Sequence, residues 1–599
     1  MLVISVTILL VVFFLFHVAC ISAKYERKSP NDLSEMDNMP VFNHSNKQMS
    51  SRNLDLENQI NIFRSQKQQS VHRKSLNSNT PIFQLNQESI FNISNITIGS
   101  NFTSSSNLGS FYVYVASNVP DGPGDPSNCD ETSTVALPTC NLRSAWSLCD
   151  KLVAIDLDRC SQTNRTLTGV VVCTVILPIY SVTQLSEIYG DSLNLAYVTP
   201  VSACHAEFRV ISSEPSLSVV FNTPSYPIVQ GDPNAIAPNM FIEIYDFPYI
   251  SIYLQSLMIT GFNDGALYFL NIGAARIEDC HFSYNGYSKL AGSFGGAILC
   301  DHCSLVDISR SSFSYNQVSF NKFDIWMFSY YTQKDAWWQC DTNCGGGGAV
   351  AIFASPTVVI TNSSFNSCLA GQGGALLCHN CSALSVVNSS FYNNSAGLDG
   401  GAVYYLNSGN FVESSDTNVF QLNNSLFTGN SALAGNGGSV YLQFASSIGN
   451  ATITSCLFNS SVAQFSGGAL AVLSSEVNNA FLIKSSNFSD NIAANDFGGS
   501  IFVVLTTPLI IECQFMNNSA PGNGGGAVYY RGSQFFSSSV KLTISFENCL
   551  FKKNNGYFGG AIMTYMMAIL YVSKSTFISN AATYGGAIGN YLFDFSIVR

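Results

Sequence analysis

Ten times in this chain a pair of glycines is followed by a small residue and usually an aliphatic one, as in FGGAILC, QGGALLC and DGGAVYY. The second glycines are Gly296, Gly348, Gly374, Gly401, Gly438, Gly468, Gly499, Gly526, Gly560 and Gly586. Their successive gaps are 52, 26, 27, 37, 30, 31, 27, 34 and 26 residues, and a weaker NDGALYF surrounds Gly265. A period near 26 that swells at one loop per unit marks a solenoid, because each unit touches only its neighbours.

A second marker precedes each glycine pair: Phe282, Phe313, Phe365, Phe391, Phe427, Phe458, Phe488, Phe515, Phe551 and Phe577. Asn follows three residues later in eight of the ten, with Cys368 and Ser461 as exceptions, and Ser or Cys always stands two residues before. Side chains alternate along a strand, so Phe and the small residue share a face and are expected to fill a narrow interior. An apolar residue five before the Phe, from Ile277 to Val572, has the opposite parity, so the chain must bend between them. Asn362, Asn388, Asn424 and Asn548 stand in that gap, and Asn tolerates the left-handed conformation of a tight corner. The glycine pair supplies another corner. No segment keeps a 3.6 period free of Gly and β-branched residues, which excludes a helical-repeat solenoid. The expected fold is all-β: a right-handed parallel β-helix with a disulfide-rich N-terminal cap, its Phe, Asn, Ser/Cys and aliphatic positions stacked as ladders.

Residues 1–23 read as a signal peptide, with Leu2–Ala19 too short for a committed span and an uncleaved anchor as the alternative. Residues 24–100 read as a disordered Asn/Gln/Ser-rich tether. Residues 101–215 read as the cap and first irregular coils, and 216–599 as the β-helix proper, interrupted by an insertion at 317–344. Within the cap, Phe111–Ala116 is expected as a strand and Leu142–Val153 as a helix capped by Asn141. The chain stops about one strand past the last glycine pair, so further chain or a cap from another chain is expected there. Fourteen Asn-x-Ser/Thr sequons fit a secretory route, and no later 18-residue apolar run suggests a membrane span. The net charge of −12 argues against a polybasic nucleic-acid partner.

Cys129, Cys140, Cys149, Cys160, Cys173 and Cys204 are expected to pair within the cap, in a connectivity the sequence leaves open. Cys513 and Cys549 occupy one ladder position in successive coils, as a disulfide or as buried thiols. Cys300-Asp-His-Cys303 and Cys378-His-Asn-Cys381 follow the glycine pair at the same offset. With His302 and His379 they could be written as a zinc site, but two local disulfides at equivalent bends are the expected reading, with no metal and no cofactor. His281 is expected on the outer face and solvated. GNGGGA at 522–527 and CGGGGA at 344–349 lie in repeat register and open no helix, so no nucleotide site is read there. The distinctive chemistry sits in the insertion: Trp326, Tyr330, Tyr331, Trp337 and Trp338, aromatics that stack on sugars or anchor interfaces, or that pack onto the rod themselves.

The alternation of GGA[ILV] with FxxN over about Gly265–Gly586 resembles the repeat of the chlamydial polymorphic outer membrane proteins. It also resembles pectin-lyase-like β-helix proteins, some of them from protists, that carry it. That resemblance implies a secreted or cell-surface adhesin-like protein, here without an outer-membrane barrel of its own, meeting cell-surface glycans or matrix proteins. The alternative is a polysaccharide-active enzyme or a carbohydrate-binding protein on the same fold. Outward positions are expected to carry Asn, Ser and Thr with scattered charges and no convergent acid cluster. Asp301, His302, Asp324, Lys334 and Asp335 are the polar groups near the insertion an enzyme would use.

Overall fold

The computed structural model describes residues 109–115, 141–162, 170–178, 182–185, 193–195, 198, 205–213, 226–231, 239–286, 294–319, 345–407, 419–444, 451–474, 480–532, 542–566 and 568–591. The chain divides into Met1–Gly99 and Ser100–Arg599. The signal and tether expectations, Cys129, Cys140, Cys204, the side chain of Cys160, and Asp324, Trp326, Tyr330, Tyr331, Lys334, Asp335, Trp337 and Trp338 of the insertion lie outside the described residues.

The described residues form a parallel β-helix solenoid whose strands make three parallel sheets of 24, 13 and 8 strands. The thirteen-stranded sheet is built from three-residue strands: ten carry the phenylalanines, such as Ser390–Tyr392 and Leu426–Thr428, and the first three, Val182–Gln184, Ile228–Gln230 and Met258–Thr260, carry none. Twelve strand spacings of about 4.8 Å give this face a length on the order of 60 Å. The largest sheet takes two strands from each regular coil: one follows the glycine pair, as in Val403–Asn407, and the next precedes the phenylalanine corner, as in Val419–Asn423. The smallest sheet begins with two-residue strands such as Ser395–Ala396 and ends with the longer Ser519–Gly524, Asn555–Phe558 and Ala581–Tyr584.

The ladders read from the sequence are the core. The ten phenylalanine rings stack without interruption from Phe282 to Phe577, at centroid distances of 4.7 to 5.1 Å and within 9° of parallel. Offset stacking of this kind adds to the burial of each ring. Beside them runs a buried amide ladder. Asn394 Nδ2 donates to Asn430 Oδ1 at 3.1 Å and to the Phe365 carbonyl at 3.1 Å, while its own backbone N–H donates to Asn430 Oδ1 at 3.0 Å. Asn491, Asn518 and Asn554 repeat the same donations. These bonds satisfy polar groups that a tight corner would otherwise bury unpaired. A third ladder is hydroxylic: the N–H of Ser363 donates to Ser389 Oγ at 3.2 Å, and that hydroxyl donates to the Val387 carbonyl at 2.9 Å.

The two exceptions to the Asn rule are accommodated locally. The Cys368 N–H still donates to Asn394 Oδ1 at 3.0 Å. At Ser461 the chain compensates across the coil: the glycine pair there is followed by Ser439 instead of Ala. The Ser439 hydroxyl bridges Asn430 Nδ2 at 3.2 Å and Ser461 Oγ at 2.7 Å.

The glycine pair has two separate reasons. Gly437 has φ +64°, and a Cβ there would sit 2.3 Å from the Val440 carbonyl oxygen. Gly438 needs no unusual φ, but its Cβ would stand 2.1 Å from the Gly468 oxygen of the next coil. The first makes the turn and the second lets two coils approach. The corner asparagines Asn362, Asn388, Asn424 and Asn548 all have φ between 48° and 54°, as their side chains allow.

At the start of the stack, the helix Leu142–Gln162 extends beyond the expected Val153, because Leu157 continues the buried stripe of Leu142, Trp146, Cys149 and Val153. Asn141 Oδ1 accepts the Ser144 N–H at 2.8 Å and caps it. The helix is pinned to the first coils by a Cys149–Cys173 disulfide, by Trp146 packed at a tilt 5.3 Å from Phe208, and by the Trp146 indole donating to the Asn194 carbonyl at 2.8 Å.

Candidate functional site

Strand register decides which outward side chains become neighbours. In the strand rows preceding the phenylalanine corner, Arg209 lies beside Tyr253, Tyr253 beside Arg276, and Arg276 beside Asp307. The same row continues through Val359 and Ser385, which carry no charge. Two residues further along each strand, Gln255 neighbours Glu278, and the next coils place Ser309 and Thr361 there. Among the described residues, most ion pairs gather on the outer face of the coils between 205 and 315, and Lys574–Glu547 forms a separate pair at 3.2 Å in the later coils.

The groups are joined. Arg209 Nε meets Glu207 Oε1 at 2.5 Å, and its guanidinium lies 5.7 Å from the centre of the Tyr253 ring. The Tyr253 hydroxyl donates to Glu278, and Arg310 donates to the same carboxylate. Arg310 Nε also stands 3.8 Å from Asp279 Oδ1. Partial burial of Glu278 would raise its pKa, but the donations from Tyr253 and Arg310 outweigh burial and hold the carboxyl below its ordinary range. Asp307 shifts the other way: burial raises it, Arg276 opposes and Glu278 reinforces. Two carboxyls on one face thus differ in their hold on a proton. Burial and the Glu278 carboxylate push the Tyr253 phenol well up, so it stays a donor.

Tyrosines border this network. Tyr284 and Tyr315 stack 5.1 Å apart and 7° from parallel while remaining 51% and 45% exposed. Both occupy left-handed corners (φ 56° and 55°), as does Arg310 (φ 47°), at positions where the next coils use Ser367, Asn393 and Asn362. The conformation belongs to the repeat's corners, which also hold Glu512, Lys553 and Lys574 in later coils, so what distinguishes these coils is the paired tyrosine rings and the arginine placed there. Tyr245 and Tyr268 meet edge to face at 5.1 Å on neighbouring strands.

This network corrects two sequence expectations. Outward charges are not merely scattered, since Glu278, Asp279 and Asp307 converge with three arginines. His281 is not freely solvated: Tyr226 packs 4.5 Å from its ring, its Nδ1 meets the Ser312 hydroxyl, and burial lowers its basicity. His302 stays exposed, with Nδ1 2.6 Å from Asp301, at the bend next to the network's coil. The ionic face was missed because Arg209, Tyr253, Arg276 and Asp307 lie at unequal spacings; the one available signal was the scarcity of arginine elsewhere in the repeat region.

The cysteines divide by position. Cys378 and Cys381 form a disulfide across their bend, whereas Cys300 and Cys303, in register two coils earlier, are buried thiols. Only the second of the two expected local disulfides is therefore formed. Cys513 and Cys549 are neighbouring buried thiols. Cys280, Cys368 and Cys456 are pushed up to about 12 by burial, which suits packing and not nucleophilic chemistry. Among the described residues, no group of three or more His, Cys, Asp or Glu is placed to hold a metal ion. No helix of the described residues is long and apolar enough to cross a membrane.

Comparison with known proteins gives one relative of stated name. Metabotropic glutamate receptor-like protein R of Dictyostelium discoideum is 32% identical over 139 residues, which is 23% of this chain and 8% of that protein. The chain thus spans a small part of the relative's length. No solved structure matches the chain. Residues 388–405, running from the Asn388 corner through Phe391 and Asn394 to the strand after Gly401, match the Chlamydia polymorphic membrane protein (Chlamydia_PMP) repeat, so this chain carries that repeat.

Proposed function

We propose that this chain is a secreted or cell-surface adhesin-like β-helix, non-catalytic, that binds cell-surface glycans or matrix proteins through the outer face of its 205–315 coils. The observation carrying this reading is the concentration of arginine, carboxylate and tyrosine on rows that turn to Val, Ser and Thr one coil later. Guanidinium groups and exposed tyrosines are the side chains that dominate recognition surfaces, and sugars stack on flat aromatic faces such as the Tyr284–Tyr315 pair. A repeat described for membrane proteins and a receptor-like relative support a surface location. The insertion aromatics Trp326, Tyr330, Tyr331, Trp337 and Trp338 remain part of this proposal on sequence grounds. Binding of the secreted full chain to cells tests it: Tyr284→Ala with Tyr315→Ala is expected to weaken binding at least tenfold, and unchanged binding removes this face from the account.

A second reading is favoured by the unequal carboxyls. Burial raises the proton affinity of Asp307 while Tyr253 and Arg310 lower that of Glu278, and two carboxyls pushed in opposite directions are what a glycan-cleaving acid and base would need. Release of oligosaccharide that disappears in Asp307→Asn, with binding retained, would favour it.

A further inference from the structure

Asparagines in this fold face either inward or outward, and the sequons sort with the outward set. The buried ladder residues Asn394, Asn430 and Asn518 are each followed by Ser and then Ala, so none of them is a sequon. The alanines concerned, Ala396, Ala432 and Ala520, are themselves buried. One residue earlier, Asn393 and Asn517 head the sequons Asn-Asn-Ser, and both are exposed. Asn362, Asn388, Asn423 and Asn487 are likewise exposed sequon asparagines. Asn380 and Asn459 are half-buried.

The six exposed sites share one face. Asn362, Asn388 and Asn423 stand at the corner entering the thirteen-stranded sheet, Asn487 lies on one of its strands, and Asn393 and Asn517 stand at the corner leaving it. The distribution along the stack is equally uneven, because no sequon occurs between Asn164 and Asn362. That gap contains every residue of the ionic and tyrosine network.

We infer that Asn362, Asn388, Asn393, Asn423, Asn487 and Asn517 carry N-linked glycans, which coat one face of the later coils and leave the 205–315 coils bare for ligand. This inference rests on the secretory reading. In each transfer, Asn Nδ2 loses a proton and bonds to the anomeric carbon of an oligosaccharide. The bond from that carbon to the lipid diphosphate donor breaks, and the diphosphate leaves with the electron pair. No redox partner is needed. The folded chain accepts the product because these side chains already point to solvent, whereas a glycan on Asn394 or Asn430 would have no space.

The test is to secrete the full chain from cultured animal cells, release the glycans with an amidase that leaves aspartate behind, and map the converted positions by peptide mass spectrometry. A variant with all six asparagines changed to Gln is secreted in parallel; none of the six side chains is buried, and if Gln at the four left-handed corners Asn362, Asn388, Asn393 and Asn517 prevents secretion, the mapping of the wild type decides by itself. Conversion at most of the six positions, and loss of most glycan mass from the variant, is the expected result. A secreted chain unconverted at all or most of them, or a variant of unchanged glycan mass, overturns the inference while leaving the surface reading intact. Retention in the cytosol without glycans overturns both.

Discussion

Replacing Gly438 by Ala adds one methyl group at a position where backbone conformation raises no objection, so the effect isolates coil-to-coil contact. The new Cβ would lie 2.1 Å from the Gly468 oxygen and 2.6 Å from backbone atoms of Val462, none of which can rotate away. Ordinary contact begins above 3.4 Å, so two coils must part by more than an ångström and stretch the ladders on either side. Overpacking of a well-filled core costs about 1–3 kcal/mol, and backbone on both sides puts this site at the upper end, about 3 kcal/mol. Against it stands a gain of about 0.4–1 kcal/mol from the stiffer unfolded chain. The net expectation is a loss of about 2 kcal/mol. Gly586 provides the internal control: it holds the same motif position, but a Cβ there meets only the Asn580 oxygen at 3.9 Å. Gly586→Ala is therefore expected to be neutral or to stabilise by up to about 1 kcal/mol. Urea unfolding followed by intrinsic fluorescence, with limited proteolysis to locate the first coils to open, measures both. Equal effects at the two positions would refute the close-approach explanation of the glycine pair.

Phe427→Ala removes a ring stacked 4.7 Å from Phe391 and 4.8 Å from Phe458 and should cost about 3–5 kcal/mol, read as a lowered urea midpoint. Asn430→Ala leaves the Phe391 carbonyl and two donors of Asn394 without their partner, for a loss of about 1–3 kcal/mol that Asn430→Asp should not restore, since a carboxylate cannot donate. Asp399 is half-buried by accessible surface but enclosed near Tyr404 and Tyr441, the Asn436 N–H and side-chain amide donate to it, and desolvation pushes its carboxyl up to about 6 from an ordinary 3.8. A raised folded value means that its contribution is full below about pH 3.8 and is lost as pH rises through about 6. Asp399→Asn should accordingly gain on the wild type by up to about 3 kcal/mol between pH 4 and pH 7. A pH-independent difference between the two would show that Asp399 titrates normally.

The ladders were legible because they recur at fixed offsets within a coil: five before, two before and three after each phenylalanine are local distances that no insertion disturbs. The roles of the two glycines were less legible, since both look alike in sequence and only the coil above distinguishes the turn at Gly437 from the approach at Gly438. The ionic face was illegible for a related reason. Tyr253, Arg276 and Asp307 meet across coils of 23 and 31 residues, so their alignment depends on where each loop swells, and Arg209 joins them from a coil that lacks the glycine pair altogether. His281 was misread because Tyr226, which covers it, comes from another such coil. The helix end was missed because Leu157 stands between Asp156 and Asp158 at the start of a polar stretch, which hid the continuing apolar stripe.

The most direct measurement exposes the secreted full chain to arrayed glycans and to cells, with soluble oligosaccharide monitored in the same wells. Wild type is run beside Arg310→Ala and Asp307→Asn. Binding without release, weakened severalfold by Arg310→Ala and little changed by Asp307→Asn, is what a non-catalytic binding face requires. Steady release of oligosaccharide that Asp307→Asn abolishes would contradict it and make the same face an active site.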